Sequence, residues 1–399
     1  MHTTNSRVVL LGAGASAPAG VPVAAEMTRR MADALNSPET IATHRALAVI
    51  VGGLQMGAGW ETQPIAWDVD IERVMNAAEL LATRFDAELA PFVGNWHPVL
   101  EELERRAFSQ NVKGSFQLPP EKLPSLKSPG EAENFANKVL SQLRSALQST
   151  LRLFDRRPDG QLFEILRKQL ADNLIKYTWI EDKDKVSYLA PLVQSAAEKT
   201  IPVVTLNYDN SVELCADSLR ISRDNGISRW NKTRAFHEIG GLRRDCVHLI
   251  KLHGSIDWQW ENSDRLTEAP ANEMEMAKKV PLDYRRRALS TKPRSAIIFG
   301  GKNKLTAEGP FLDLLFWFRQ TLQLSNELVV IGYSFRDDHV NHTILSWLRA
   351  SDTNRLIVIT RSSIEHGLFY RSHLRSLGSR LTVDPMGAVD GIQRHFSVP

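Results

Sequence analysis

Two side chains near the ends of predicted buried strands could carry out chemistry on a bound ligand. They are Asn207, in TLNYD, and His253, in KLHGSIDW. A neutral imidazole can take a proton from a hydroxyl or a water near neutral pH, and an amide can orient that same group. Each also has a structural interpretation, because asparagine is common in turns and the chain has 11 histidines. Taken alone, the two side chains leave the chemical and the structural interpretation open.

A glycine-bearing turn near the start of the chain predicts a site for an anion. The stretch VVLLGAGASAPAGVP (8–22) contains Gly12, Gly14 and Ser16 directly after four apolar residues. Backbone amides at such a turn, together with the following helix dipole, favour a phosphate. A P-loop would need a lysine, and a dinucleotide fingerprint, met loosely by Gly12-x-Gly14-x-x-Ala17, needs an acidic residue after the second strand. The candidate second strand, ALAVIVGG (46–53), has none, so a purely structural turn stays open.

The elements that must position these residues predict an α/β protein. Short β-branched runs indicate strands, and amphipathic segments such as 24–35, 311–324 and 340–348 indicate helices between some of them. We expect a Rossmann-like parallel sheet with helices on both faces, and ligands at the carboxyl ends of its strands. The expected strands are 8–11, 201–207, 247–254, 295–301, 327–334 and 354–360.

The organisation of domains follows from where the helical pattern is continuous. We expect a first part of the Rossmann-like core at 1–59, a largely helical insertion at 60–199 and a second core part with the catalytic motifs at 200–399. Helices are predicted around 71–78, 135–151 and 162–170, and the Pro-, Ser- and Lys-rich stretch 111–131 indicates a loop.

Composition narrows the class of protein. The chain has 399 residues, is 43% hydrophobic, and has a net charge of +3, which is a weak argument for nucleic acid. Its two cysteines cannot form a four-cysteine zinc site, and they favour a reduced, cytoplasmic setting. No stretch is long and apolar enough to span a membrane.

We expect no metal: Asp337, Asp338 and His339 suggest a metal cluster, but a helix cap is the preferred interpretation. Trp258 and Trp260 are expected in the core rather than in a base-stacking platform.

Four motifs occur in the chain order typical of sirtuin-like proteins. GAGAS (12–16) is followed by TLNYDNSVE (205–213), KLHGSIDW (251–258) and VIGYSFRDDHVN (330–341). The sequence resembles the prokaryotic sirtuin-like NAD-hydrolase family of anti-phage defence. The resemblance covers about the first sixty residues and most of the chain after Ile201, without matching the helical block in detail.

The resemblance implies that NAD is the substrate and that its nicotinamide–ribose bond is hydrolysed. Asn207 would then position the ribose or the attacking water, and His253 would be the general base. Asp209 would hold the nicotinamide end, although it could instead cap the following helix. The pyrophosphate would lie against Gly12, Ala13, Gly14, Ala15 and Ser16, and the adenosine side would be lined by Gly332, Tyr333 and Ser334.

Departures from the deacylating sirtuins keep other functions in view. Those enzymes carry a four-cysteine zinc module and a GIPDFR signature, where this chain has two cysteines and GVPVAAEM. Alternatives are an NAD-dependent deacylase or ADP-ribosyltransferase, and a non-catalytic module that senses NAD or ADP-ribose. The resemblance further implies conditional activity in an NAD-depleting effector, with a homo-oligomer or a defence partner such as a HerA-type ATPase controlling it.

Overall fold

A seven-stranded parallel sheet organises the computed structural model, which describes residues 6–57, 69–86, 90, 96–109, 160–236, 242–261, 265–279, 294–297, 310–361, 367 and 369–397. The order of its strands is β10-β9-β8-β1-β2-β4-β3. The strands of the described chain are β1 (Arg7–Leu11), β2 (Val203–Thr205), β3 (Ser222–Asp224), β4 (Cys246–Lys251), β5 (Gly254–Glu261), β6 (Arg265–Glu268), β7 (Arg294–Ile297), β8 (Glu327–Ile331), β9 (Arg355–Ile359) and β10 (Leu381–Asp384).

The central position of β1 explains its unbroken apolar run. It pairs in parallel with β2 on one side, where Val9 is opposite Val203, and with β8 on the other, where Val9 is opposite Val329. Both of its faces are buried, as expected for an interior parallel strand. The chain builds outwards from β1 in one direction and from β8 in the other. The boundary between β1 and β8 is therefore the topological switch point, where open α/β sheets bind ligands.

Helices cover both faces of the sheet, as predicted. Taken over both compact units, the α-helices of the described residues are α1 (Ala13–Ser16), α2 (Ala24–Leu35), α3 (Ile41–Met56), α4 (Ile71–Ala82), α5 (Pro98–Ser109), α6 (Gln161–Thr178), α7 (Ala190–Lys199), α8 (Ser211–Leu219), α9 (Ile227–Thr233), α10 (Ala271–Lys279), α11 (Pro310–Gln323), α12 (Asp338–Ala350) and α13 (Ala388–Phe396). Val8 and Leu10 of β1 pack in one core with residues of α11 and α12. Val9 and Leu11 pack in the opposite core with residues of α7, α8 and α13.

Two strand predictions are corrected by the structure. The stretch 46–53 lies inside α3, because its apolar residues Ala46, Leu47, Ile50 and Val51 share one buried helical face. The expected strand at 295–301 corresponds to β7, which belongs to a separate antiparallel sheet of order β6-β5-β7 and not to the parallel sheet. On β5, Trp258 is fully buried, which confirms its predicted place in the core, and Trp260 packs partly buried against that core.

The chain divides into two compact units. The first comprises Met1–Met31, Ala66–Asn76 and Gln169–Pro399, and contains both sheets. The second comprises Ala32–Ile65 and Ala77–Lys168, where Arg84 and Glu104 form a buried ion pair at 2.7 Å. Residues 169–199 belong to the first unit, and α7 contributes to the core of the parallel sheet. The domain boundaries at 59/60 and 199/200 stay a prediction. The helix predicted at 135–151 and the loop at 111–131 lie outside the described residues.

In the part of the chain that the structure describes, no helix combines the length and the apolar character needed to span a membrane.

Candidate functional site

The four motif loops lie at the same edge of the parallel sheet, where its strands end. The loop after β1 carries Gly12 to Ser16, and the loop after β2 carries Asn207 to Asn210. His253 follows β4, and the loop from Gly332 to Asp337 follows β8. Because β1 and β8 flank the switch point, this edge is the expected position of a ligand.

The glycines of the first loop are required by close backbone packing. A Cβ at Gly12 would lie 2.6 Å from the Cα of Tyr333, and one at Gly332 would lie 2.4 Å from the backbone nitrogen of Ala15. Gly332 also has a φ of +64°, which glycine adopts without strain. The Gly12 amide donates to the carbonyl of Ile331 and the Gly14 amide to that of Gly332, each at 2.9 Å. These two amides therefore join the first loop to the loop after β8.

Asn207 is fixed against the first loop by its side-chain amide. Nδ2 donates to the carbonyl oxygen of Gly12 at 2.9 Å and to Oγ of Ser16 at 2.8 Å, while the backbone amide donates to Oγ1 of Thr205. Because a backbone carbonyl only accepts, the atom facing Gly12 must be the nitrogen. Both hydrogens of the amide are thus used, which leaves Oδ1 to accept a hydrogen bond from a hydroxyl or a water.

His253 is buried with a carboxylate beside each ring nitrogen. Nε2 lies 2.9 Å from Oδ2 of Asp337, and Nδ1 lies 3.7 Å from Oε1 of Glu72. The ring also stands beside the ring of Tyr208, at 6.1 Å between centroids and 35° between planes. Tyr208 directly follows Asn207, so the loop after β2 reaches both predicted catalytic side chains.

Tyr208 and Glu72 are connected through a hydrogen bond. The phenol donates to Oε1 of Glu72 at 2.8 Å. Burial, followed by the charge of Glu72, raises the pKa of Tyr208 well above its usual value. The phenol therefore stays protonated and remains a donor to Glu72 at all working pH values.

Tyr333 lies behind the site and supports Asp337. Its hydroxyl accepts from the backbone amide of Asp337 and donates to Oδ1 of Asn341, each at 3.0 Å, and its ring lies tilted against the ring of Phe335, with 4.9 Å between centroids. Burial raises the pKa of Tyr333 well above its usual value, so this hydroxyl too stays protonated. The side chain is buried in the core, whereas the neighbouring Ser334 is exposed.

Asp209 and Asn210 organise the start of α8. Oδ1 of Asp209 accepts from the backbone amide of Ser211, the first residue of the helix, at 2.9 Å. Asn210 exchanges two hydrogen bonds with the backbone of Ile180. The backbone carbonyl of Asp209 accepts from Nζ of Lys251 at 2.6 Å, and Nζ also contacts Oε1 of Glu213 at 2.6 Å.

The structure thus connects the two predicted catalytic residues through a chain of contacts. Asn207 contacts Gly12, Gly12 packs on Tyr333, Tyr333 holds Asp337, and Asp337 contacts His253. Of the residues predicted to bind the ligand, Ala13 is exposed, Gly14 is partly exposed, and Ala15 and Ser16 are buried.

The sequence does not reveal that two carboxylates, those of Glu72 and Asp337, lie beside His253. Asp337 was expected to cap a helix, and it does so: Oδ1 accepts from the amides of His339 and Val340 at the start of α12. Its second oxygen faces His253. Among the described residues, no group of three His, Cys, Asp or Glu side chains is arranged to hold a metal ion.

A family model matches part of the chain, and no curated protein matches it. Among solved structures, Sir2Tm bound to a propionylated peptide is 11% identical, with 98% of this chain and 91% of that chain covered and a TM-score of 0.37. A Sir2 complex with a p53 peptide and NAD+ is 15% identical, with 52% and 67% covered and a TM-score of 0.30. The family model described as "SIR2-like domain" matches residues 202–375, so that stretch of the chain is similar to this family.

Proposed function

We propose that the chain hydrolyses NAD at the bond between nicotinamide and ribose, giving ADP-ribose and nicotinamide. One observation carries this proposal: the amide of Asn207, the imidazole of His253 and the glycine turn after β1 are linked by contacts at the switch point of the parallel sheet. The chain also matches a SIR2-like domain over residues 202–375. The resemblance of the four loop motifs to sirtuin-like NAD hydrolases points in the same direction.

The leaving group of this reaction, nicotinamide, departs without acid catalysis by the enzyme. The C–N bond breaks with its electron pair on the nicotinamide nitrogen, which loses its positive charge, so no acid is needed there. The ribose becomes oxocarbenium-like, and a water adds to it and gives up a proton. Oδ1 of Asn207 orients the ribose or that water, and His253 takes the proton from a ribose hydroxyl or from the water.

The remaining contacts in the proposal concern the other parts of NAD. The first loop, Gly12 to Ser16, holds the pyrophosphate; the amides of Gly12 and Gly14 donate to β8 and its loop, and Ala13 is an exposed residue of this turn. Asp209 stands at the nicotinamide end, and Gly332 with the exposed Ser334 borders the adenosine side.

Peptide deacylation is the weaker alternative. Two cysteines in the whole sequence cannot build the zinc module of deacylating sirtuins. Because free NAD hydrolysis would harm the cell that makes the enzyme, we further propose that the activity is held in check, by a homo-oligomer or by a partner such as a HerA-type ATPase. An NAD-depleting effector of anti-phage defence fits that requirement.

The test is release of nicotinamide from NAD by the purified protein, with ADP-ribose measured in parallel. Asn207→Ala and His253→Ala should each lower turnover at least about a hundredfold, as expected for loss of a positioning group or a general base. His342→Ala is the matched control, because His342 is exposed on α12. Equal turnover in wild type and both site variants contradicts the proposal. Consumption of an acyl-lysine peptide would indicate a deacylase, and NAD binding without nicotinamide release would indicate a sensing module.

A further inference from the structure

We propose that Asp337 is a positioning residue that fixes His253 in the Nε2–H tautomer and thereby makes Nδ1 the basic nitrogen. The proposal deepens the NAD-hydrolase function, on which the role of His253 as a base rests. It concerns a carboxylate that the sequence marks only as the cap of a helix.

The two carboxylate oxygens of Asp337 have different hydrogen-bond partners. Oδ1 accepts from the backbone amides of His339 and Val340, at 3.0 Å and 3.3 Å. Backbone amides can only donate, so this oxygen is an acceptor with its position set by the helix. Oδ2 is left to face Nε2 of His253 at 2.9 Å.

The position of Asp337 is fixed from its backbone as well as from its side chain. Its amide donates to the hydroxyl of Tyr333 at 3.0 Å, and only 7% of the residue is exposed. Asn341, which accepts from Tyr333, in turn donates to the carbonyl of Phe335 at 2.9 Å. Because the carboxylate is held in this way, it cannot rotate to adapt to the imidazole. The protonation of the imidazole therefore has to match the carboxylate.

The tautomer follows from this arrangement. An ionised carboxylate accepts only, so the nitrogen that faces Oδ2 carries the proton. In a neutral ring the lone pair is then on Nδ1, the nitrogen that faces Glu72. An imidazole with the other tautomer would present an N–H where a base is needed, which is the known effect of replacing the aspartate in Ser-His-Asp triads.

Asp337→Asn tests this directly, because asparagine keeps the cap through Oδ1 and places an NH₂ group opposite Nε2. The ring must then accept at Nε2, and its proton moves to Nδ1. Asp338→Asn is the matched control: it makes the same chemical change one residue later, at an exposed position. The primary measurement is ¹⁵N NMR of histidine-labelled protein, with His253→Gln used to assign the signals of His253.

We expect the Nε2–H tautomer of His253 in wild type and in Asp338→Asn, and the Nδ1–H tautomer in Asp337→Asn. Nicotinamide release should fall about a hundredfold or more in kcat for Asp337→Asn, with KM for NAD within about twofold, since binding does not depend on the tautomer. Equal melting temperatures of the two asparagine variants would show that the cap is intact.

An Nδ1–H tautomer in wild type overturns the proposal, and this measurement remains decisive even if Asp337→Asn does not fold. An unchanged tautomer in Asp337→Asn, or a reversed tautomer with full turnover, overturns it as well. Nicotinamide release tests the NAD-hydrolase function separately, and the NMR result decides what Asp337 does to His253 whatever the turnover of the wild-type protein.

Discussion

At the scale of the residue, the imidazole of His253 is surrounded by negative charge. One carboxylate lies 2.9 Å from Nε2 and a second lies 3.7 Å from Nδ1. In the proposed reaction His253 takes a proton from a hydroxyl or a water, and both of its N–H groups then face a carboxylate. These two carboxylates are the groups that would orient the ring in that role.

Glu72 gives the first prediction at this scale. Glu72→Gln keeps an oxygen for the Tyr208 hydroxyl but removes the charge next to Nδ1. We expect kcat for nicotinamide release to fall about ten- to a hundredfold, with KM changed by about twofold at most. Steady-state kinetics check this, and Glu79→Gln, exposed on the same helix, should behave like wild type. A loss expressed only in KM would show that Glu72 binds substrate instead.

The sequence points to Asn207 and His253 because each lies in a recognisable motif after a buried strand. Glu72 gives no such signal: a glutamate near the start of an amphipathic helix is most often solvated, and nothing local indicates that α4 reaches the imidazole. Asp337 is predicted as a cap from its place before α12, but only the fold shows that its second oxygen faces His253 in the loop after β4. The local sequence pattern identifies Asp337 as a cap, whereas its contact with His253 is visible only in the tertiary structure.

At the scale of the element, the loop after β2 is held in place from the neighbouring strand. Lys251, the last residue of β4, is fully buried and donates to the backbone carbonyl of Asp209 and to the carboxylate of Glu213. Burial by itself lowers the pKa of Lys251, but the charges of Glu213, Asp257 and Asp209 together raise it above its usual value. The ammonium therefore stays charged and fixes the segment that carries Asn207.

Lys251→Met should unfold the protein more easily. The substitution leaves the buried carboxylate of Glu213 without its cation, and removing one partner of such a pair costs about 3–5 kcal/mol. Urea unfolding followed by circular dichroism measures the change. Lys185→Met, at an exposed position, is the control and should not move the transition. A Lys251→Met protein with the midpoint of wild type would mean that the pair contributes nothing to stability.

The prediction of elements from the sequence succeeds where a pattern is long or the burial is complete. The helix predicted at 24–35 has those bounds in α2, and β1, β8 and β9 follow from apolar runs. Short edge strands such as β3, with the sequence SRD, carry no apolar signal because only one side is paired. The eight mostly apolar residues at 46–53 fit a strand as well as a helix. The residues around them, which extend the helix to 16 residues, decide in favour of the helix.

At the scale of the whole molecule, the parallel sheet explains how residues far apart in sequence form one site. Parallel strands need long crossovers, yet all of them end at the same edge. The order of strands places β8 next to β1, so the loops at 12–16 and 332–337 pack against each other. The class of fold was predictable from alternating strands and helices, whereas the division into two compact units depends on contacts that no local pattern records.

A buried carboxylate behind the site makes the stability of the molecule depend on pH. Asp257 on β5 is 6% exposed, and its Oδ1 has no hydrogen-bond partner among the described residues. Burial raises the pKa of Asp257; Lys251 counteracts this and Glu213 adds to it, and the net pKa is raised. The folded state therefore holds this proton more tightly than the unfolded chain does. The contribution of Asp257 to stability falls as the pH rises from its usual pKa, about 3.9, through the raised value.

Asp257→Asn removes that ionisation while keeping the shape of the side chain. The variant should gain stability relative to wild type as the pH rises from about 4 to 7, because only wild type has to bury a new charge over that range. Urea midpoints at a series of pH values measure the difference, and Asp33→Asn, exposed on α2, should follow the wild-type curve throughout. A difference that is constant with pH would show that Asp257 has the same proton affinity folded and unfolded. A difference that shrinks towards neutral pH would show that Lys251 outweighs burial, which reverses the sign of the effect.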